Sequence, residues 1–434
     1  MRIAYFTQSP EVTAIDYYRV LGPASYAGVE VTKVVPHDLI KPSEALGLFD
    51  LFYISRESVK YSRECETIIS IAHEKNKPCV LDLDDALFDL PENHPDYISG
   101  AYAHSLISFL NILPKVDAVT VPTEKLAEIL RTITKTPIHI LPNLFDDELW
   151  GIEPHRPVPD DGQLTLLFFG SPSHIIDLPI ILGVLKEIHT KYLNKVSFVF
   201  YGIPLPADMP INFPLTQLPS ETYIYASFPE KIKRIKADVG LAPLSDSIFN
   251  RSKSSIKYFE YTAMGLPTIA SNLEPYQAVI NDGVNGLLAS TPQDWVESII
   301  RVIESSIFRQ DLVNCAQSNL KKYLMRNNVD NWLSSISNFQ YLPKSPSPEV
   351  IFSQEFIHRL ADQIQNNMLA HKTRTDHLEL ELQKTLTQNA NYMAEKRFLD
   401  AQRLELEMAI EEIKASNSWK LTRPLRSIAK WIKK

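Results

Sequence analysis

Short apolar runs alternate with amphipathic stretches over the first three quarters of the chain. Residues 2–7, 29–35, 51–54, 79–83, 118–121 and 138–141 are compact and largely apolar. They are too short for stable helices and suit strands buried on both faces. Between them, residues 13–27, 60–75, 99–113 and 123–133 carry apolar positions at helical spacing, with Thr123 placed as an N-cap. This alternation predicts a parallel sheet with helices on both sides, so residues 1–150 read as one Rossmann-like domain. The polar, proline-bearing stretch 151–162 reads as a linker. The pattern then restarts, with strands expected at 164–169, 196–201, 239–242, 268–270 and 286–288. Helices are expected at 176–190, 229–236, 254–264, 275–281 and 292–303. A second Rossmann-like domain over 163–325 follows, with ligand at the carboxyl ends of its strands and a cleft facing the first domain.

Past residue 341 the pattern changes. Residues 342–349 form a proline-serine linker, and 350–415 contain no Gly or Pro, which predicts a long helical extension. Phe356, Leu360, Ile364, Leu378, Leu382, Leu386, Leu399, Leu406, Ile410 and Ile413 form a broken apolar stripe. It suits a coiled coil or helical hairpin that a homodimer could share, or a helix laid against its own enzyme body. Residues 416–434 hold Lys420, Arg423, Arg426, Lys430, Lys433 and Lys434 without an acid, interleaved with Trp419, Leu421, Leu425, Ile428, Trp431 and Ile432. Such a tail either lies peripherally in the headgroups of an anionic membrane or is simply solvated.

Composition narrows the function classes. With 44% hydrophobic residues the 434-residue chain can bury substantial cores in about two to four domains. A net charge of -8 argues against a general nucleic-acid binder. Three widely spaced cysteines, Cys65, Cys79 and Cys315, suggest neither a disulfide framework nor a zinc site, and fit a reducing cytosol. The opening MRIAYFTQSPEV reads as a first strand rather than a secretion signal, and no window has the apolar length to span a bilayer. A cytoplasmic location is expected, with the tail on the inner face of the membrane as the peripheral variant.

The densest chemistry lies in FNRSKSSIKYFEYTAMGLPTIAS, residues 249–271. Arg251, Lys253 and Lys257 can reach phosphate oxygens, and the helix opening near Ser254 turns unpaired N–H groups and its positive dipole end the same way. Glu260, one turn beyond Lys257, can accept hydrogen bonds from ribose hydroxyls. Gly265 and Pro267 end the helix before the next strand. A solvated charged face is the alternative reading of these cations.

The run Glu-Tyr-x-Ala-x-Gly-x-Pro-x-x-Ala-Ser after a Lys-rich helix start resembles the donor-site signature of GT-B glycosyltransferases, particularly glycosyltransferase family 4. That family places two glutamates eight positions apart in this segment. Glu260 matches the second, which in the family binds the donor ribose, whereas the first position is Ser252, beside Asn250 in the donor loop. Leu141-Pro142-Asn143 resembles the turn ending the GT-B N-domain, and residues 237–244 resemble the strand before the donor loop. The resemblance implies that 326–341 forms a helix returning to the N-domain. It also implies sugar transfer from a nucleotide diphosphate sugar to a saccharide or lipid-linked acceptor in polysaccharide biosynthesis. Retention of configuration, no obligatory metal and no cofactor beyond the donor substrate are expected with it. The tail 416–434 resembles those of bacterial enzymes that build surface polysaccharides.

Gly170, Ser171, Ser173 and His174, after the first strand of the second domain, are expected beside the donor phosphates. The family more often carries an Arg and a Lys there. His174 can meet the diphosphate, meet the sugar, or merely cap a helix, and Asp177 reads as a first-turn acid. Asp82, Asp84 and Asp85 form an acidic strand end. A metal-binding Asp-x-Asp is disfavoured by the two-domain organisation, so Asp84 and Asp85 are read as acceptor-side catalytic candidates or as turn caps. Arg19 and His94 are acceptor-side candidates, with His104 behind them. A nucleotide-sugar epimerase of the same fold and an inactive membrane-recruited scaffold are the competing functions.

Overall fold

The computed structural model describes residues 1–434 except 9, 37–44, 59–61, 158–161, 206–210, 212, 220–223, 343–353 and 416–434. Two units are distinguished, Met1–Met368 and Leu369–Lys434. The first contains two six-stranded parallel sheets. Sheet one is built from β1 (Arg2–Phe6), β2 (Glu30–Val34), β3 (Leu51–Ser55), β4 (Cys79–Asp82), β5 (Ala118–Val121) and β6 (Ile138–Ile140), in the order β2-β1-β3-β4-β5-β6. Sheet two is built from β7 (Leu164–Phe169), β8 (Val196–Tyr201), β9 (Leu215–Leu218), β10 (Val239–Ala242), β11 (Thr268–Ser271) and β12 (Leu287–Ala289), in the order β12-β11-β10-β7-β8-β9. The chain reverses its direction of winding between β1 and β3 in the first sheet and between β7 and β10 in the second. Such switch points leave a crevice outside the carboxyl ends of the strands.

Both faces of each sheet are covered. In the first, Phe6, Phe52, Ile54 and Leu81 pack under one layer of helices, and Ile3, Tyr5, Tyr53 and Val80 under the other. In the second, Phe168, Phe198 and Leu241 face one layer, and Leu167, Phe169 and Ala242 the other. The helix Met325–Asn338 crosses back to the first sheet, where Trp332 and Ile336 join Ile3 and Tyr5 in one cluster. Thr123 caps the helix Glu124–Arg131 by accepting from the Leu126 N–H.

Three local departures from the expected elements have physical causes. The helix expected over 13–27 contains a π-helical turn at Tyr17–Leu21, which swings Arg19 into the core. Strand β9 escapes the pattern because LTQL is a half-polar edge strand. The helix Ser306–Leu320 spreads a few buried apolar residues among serines, asparagines and glutamines, so its period is faint.

Helix Gln354–Ala415 begins in the first unit, where Ile364 packs against the core of the first sheet. In the second unit Leu378, Leu382, Leu386, Leu399 and Leu406 are all exposed. Residues 343–349 of the expected linker, the first residues of the extension and the tail 416–434 lie outside the described residues. No described helix is long and apolar enough to cross a membrane.

Candidate functional site

The carboxyl ends of the two sheets face a cleft of about 580 Å³. From the first domain it is lined by Ile15 after β1, Arg56 after β3, Asp85 and Leu87 after β4, and His94, Asp96 and Tyr102 beyond. From the second come Ser171, Ser173 and His174 after β7, then Leu244, Phe249, Lys253, Ser254, Lys257, Glu260 and Tyr276. Both switch points open into it.

The cations of the second domain are shaped by local packing. Ser247 caps the short helix Ile248–Arg251, and the helix Ile256–Ala263 follows after a turn that carries Lys253. Lys253 Nζ lies 4.6 Å from the Phe249 ring centroid, and Lys257 Nζ lies 4.4 Å from that of Phe169 while donating to the Phe169 carbonyl. Burial draws the Lys257 ammonium down to about 8, against the pull of Glu260. Burial lowers Lys253 too, with Asp85 and Asp177 opposing. Glu260 moves the other way: burial pushes it up to about 7, although Lys257 and the Tyr18 hydroxyl favour its charge. A chain of donors ends on that carboxylate. Trp150 Nε1 donates to the Tyr225 hydroxyl at 2.9 Å, Tyr225 donates to Tyr18, and Tyr18 donates to Glu260 Oε1 at 3.4 Å. Tyr18 comes from the first domain, so this chain links the two domains beside the cleft.

On the opposite wall Asp85 pairs with Arg56 at 2.7 Å. Burial disfavours the Asp85 charge, but Arg56 and Lys253 outweigh it and hold the carboxyl low. His94 Nδ1 accepts from the Asp96 N–H at 3.1 Å, which leaves the hydrogen on Nε2. Burial keeps that ring neutral.

Several sequence candidates stand elsewhere. Arg19 is buried, pairing with Asp82 at 2.8 Å and donating to Asn143 Oδ1 at 2.8 Å. Asp82, a buried strand-end acid, needs that partner, so Arg19 is not presented to an acceptor. Arg251 turns away from the cleft into ion pairs with Asp246 and Glu274, at 2.6 and 2.8 Å, beside a separate groove containing Thr123 and Lys125. Asn250 and Ser252 are fully buried. The Ser252 hydroxyl donates to the Phe249 carbonyl, and its own carbonyl accepts from Thr123 across the domain boundary at 2.7 Å. Ser252 therefore serves the packing of the donor loop. Asp84 and Gly170 are not among the cleft-lining residues. Asp84 is held behind the wall by Asn143, whose amide also reaches Ser254 Oγ at 3.0 Å. The His104 side chain lies outside the described residues. Lys253, Lys257, Glu260, Ser171, Ser173, His174, Asp85 and His94 are brought together.

Arg56, Tyr102 and Tyr18 were missed by the sequence reading. The one signal at Arg56 is its place directly after the apolar run of β3, at a strand's carboxyl end. Among the described residues no group of three or more His, Cys, Asp or Glu side chains is arranged to hold a metal ion. Asp82, Asp84 and Asp85 diverge to separate partners.

Residues 164–305 match the family model described as Glycosyl transferases group 1. No curated protein matches the chain. Similar solved structures include HepE from Anabaena in complex with UDP-glucose, with a TM-score of 0.53 at 14% identity, covering 77% of this chain and 100% of HepE. Sucrose-phosphate synthase from Thermosynechococcus elongatus gives 0.52 at 12% identity, over 78% of this chain and 99% of its own. An Escherichia coli structure titled trehalose-6-phosphate, bound with UDP-2-fluoro glucose, gives 0.51 at 12%, over 79% and 100%. The architecture is the GT-B fold, and its second domain is the part that matches the glycosyltransferase group 1 model.

Proposed function

We propose that the chain transfers a sugar from a nucleotide diphosphate donor to a saccharide acceptor in the cleft between its two domains. The observation that carries this reading is the convergence of Lys253, Lys257 and Glu260 at one helix start, opposite the Arg56–Asp85 pair. Two desolvated ammonium groups beside an uncapped helix N-terminus suit a diphosphate. Glu260 suits the ribose hydroxyls. In the transfer the bond from the anomeric carbon to the diphosphate oxygen breaks and the acceptor hydroxyl oxygen takes its place. Its proton passes to the departing oxygen on the same face, in keeping with retention. Lys253 and Lys257, rather than Arg251, balance the charge that appears on the leaving group. Asp85, held ionised by Arg56, accepts from a second hydroxyl of the acceptor and so orients the reacting one. Two of the similar structures are complexes with UDP-sugars, which supports a UDP-sugar as the first donor to try.

A role in surface-polysaccharide assembly goes with a lipid-linked acceptor brought near by the basic tail 416–434. Exposed leucines on the long helix suit a second copy of this chain. Vesicle co-sedimentation with and without 416–434, and sedimentation equilibrium of the intact chain, test these two points.

The decisive experiment is a nucleotide-release assay over a donor panel, begun with UDP-glucose, on wild type and Glu260→Ala. Acceptor-dependent release by wild type and its loss in the variant are expected. Equal donor binding by both proteins removes Glu260 from the site. Donor turnover without an acceptor favours the epimerase.

A further inference from the structure

The switch point of the second sheet holds one buried acid that the transfer chemistry leaves unused. Asp177, at the end of the turn that follows β7, is 1% exposed, and four donors converge on it. They are His174 Nδ1 at 2.8 Å, the Ser245 N–H at 2.7 Å, Ser245 Oγ at 2.8 Å and Asn250 Nδ2 at 3.2 Å. Ser245 and Asn250 follow β10, so a single carboxylate pins together the two loops that bound the crevice.

The same carboxylate fixes the chemistry of His174. Burial disfavours the Asp177 charge, but the His174 hydrogen bond, the Lys253 charge and the Ser245 N–H outweigh it and keep the group ionised. An ionised carboxylate only accepts, so the hydrogen in the 2.8 Å contact belongs to His174 Nδ1. Nε2 is left with a lone pair. Burial and the neighbouring Lys253 and Lys257 hold the ring neutral, with its own titration near 4 despite Asp177. The ring cannot turn easily. It meets Phe168 edge-on at 6.0 Å and covers Gly170 so closely that a Cβ there would stand 2.4 Å from Cδ2. Nε2 makes no hydrogen bond among the described residues, and His174 lines the cleft. A lone pair repels the oxygens of an ionised diphosphate, which offer no hydrogen. It attracts a sugar hydroxyl, which does.

We propose that Asp177 is a positioning residue that locks His174 as a hydrogen-bond acceptor for a hydroxyl of the transferred sugar. This rests on the reading of the cleft as a nucleotide-sugar site. It separates two tasks: Lys253 and Lys257 hold the diphosphate, and the Asp177–His174 pair reads the sugar.

Two measurements on the full chain test it. Nitrogen-15 NMR of histidine-labelled protein without ligand should show a pyrrole-type Nδ1 and a pyridine-type Nε2 for His174, reversed in Asp177→Asn, whose amide can donate to Nδ1. A wild-type ring with its hydrogen on Nε2 overturns the lock whatever the protein binds. Calorimetry with UDP and UDP-glucose gives the second readout. His174→Ala should weaken UDP-glucose about three- to tenfold, the worth of one neutral hydrogen bond, and leave UDP unchanged. Equal weakening of both ligands assigns His174 to the diphosphate and overturns the proposal. If Asp177→Asn does not fold, the wild-type spectrum and His174→Ala still decide. If wild type binds no nucleotide or nucleotide sugar, the transferase reading and the hydroxyl assignment fall together, while the spectrum judges Asp177 by itself.

Discussion

Glu260→Gln should make the protein more stable and less able to bind its donor, and the gain in stability should depend on pH. Folding carries this carboxyl from its ordinary 4.5 to about 7. Because the folded value is raised, the protonated side chain is tolerated below pH 4.5 without penalty. The penalty grows between 4.5 and 7 as the unfolded chain ionises and the folded one resists, and it is complete above 7. At about 1.36 kcal/mol per pH unit, the full penalty is of order 3 kcal/mol. Gln removes it, while Lys257 loses its counter-charge and returns part of the gain, so a net stabilisation of about 2 kcal/mol at pH 8 is expected. Thermal unfolding without ligand should then show the variant about 4–8 °C above wild type at pH 8, converging towards it near pH 5. Donor affinity should move oppositely. Losing charged hydrogen bonds to a ribose weakens UDP binding by about 10- to 100-fold, and wild-type affinity should rise as pH increases through 7. A melting difference that is the same at pH 5 and pH 8 refutes the argument that burial strains this carboxylate.

Lys253→Met should lower kcat about 100- to 1,000-fold in the nucleotide-release assay, with a smaller effect on UDP affinity, because its charge matters most when the leaving group forms. Arg251→Ala is the contrasting variant: its half-exposed ion pairs lie outside the cleft, so turnover should stay within about threefold of wild type. Arg19→Met strands Asp82 without its partner and should destabilise the first domain by about 3–5 kcal/mol, read as a lowered first transition in thermal unfolding.

Most strands of both sheets were legible because they are short apolar runs, the central ones buried on two faces, as in LFYIS of β3 and LTLLFF of β7, whereas the half-polar edge strand β9 was not. Order within the sheets was not legible from such runs. The switch points arise from right-handed crossovers and from which edge each strand joins, and no single segment encodes that. Arg19 shows a second limit. Its helix period was visible, but the π turn that carries it inward answers Asp82, a residue 63 positions away. Arg56, with no motif around it, took the place on the wall that Arg19 was expected to hold.

Part of the arrangement around residues 250–260 is legible in helical spacing. Residues two apart on a helical path point in nearly opposite directions, whereas those three or four apart share a face. Arg251 closes one short helix and Lys253 lies in the turn beyond it: Arg251 turns to Asp246 and Glu274, whereas Lys253 reaches the cleft as well as the groove beside Arg251. Lys257 and Glu260 lie three apart on the helix Ile256–Ala263 and their shared face lines the cleft, with Lys253 brought beside them by the preceding turn. Ser252 lies off that face and is buried. A glutamate at 252 would have needed a partner inside the loop, where Asn250 and Ser245 already spend their donors on Asp177. The buried acid of this loop thus comes from 177, on the adjoining switch-point turn. The side chain it orients, His174, comes from that turn as well.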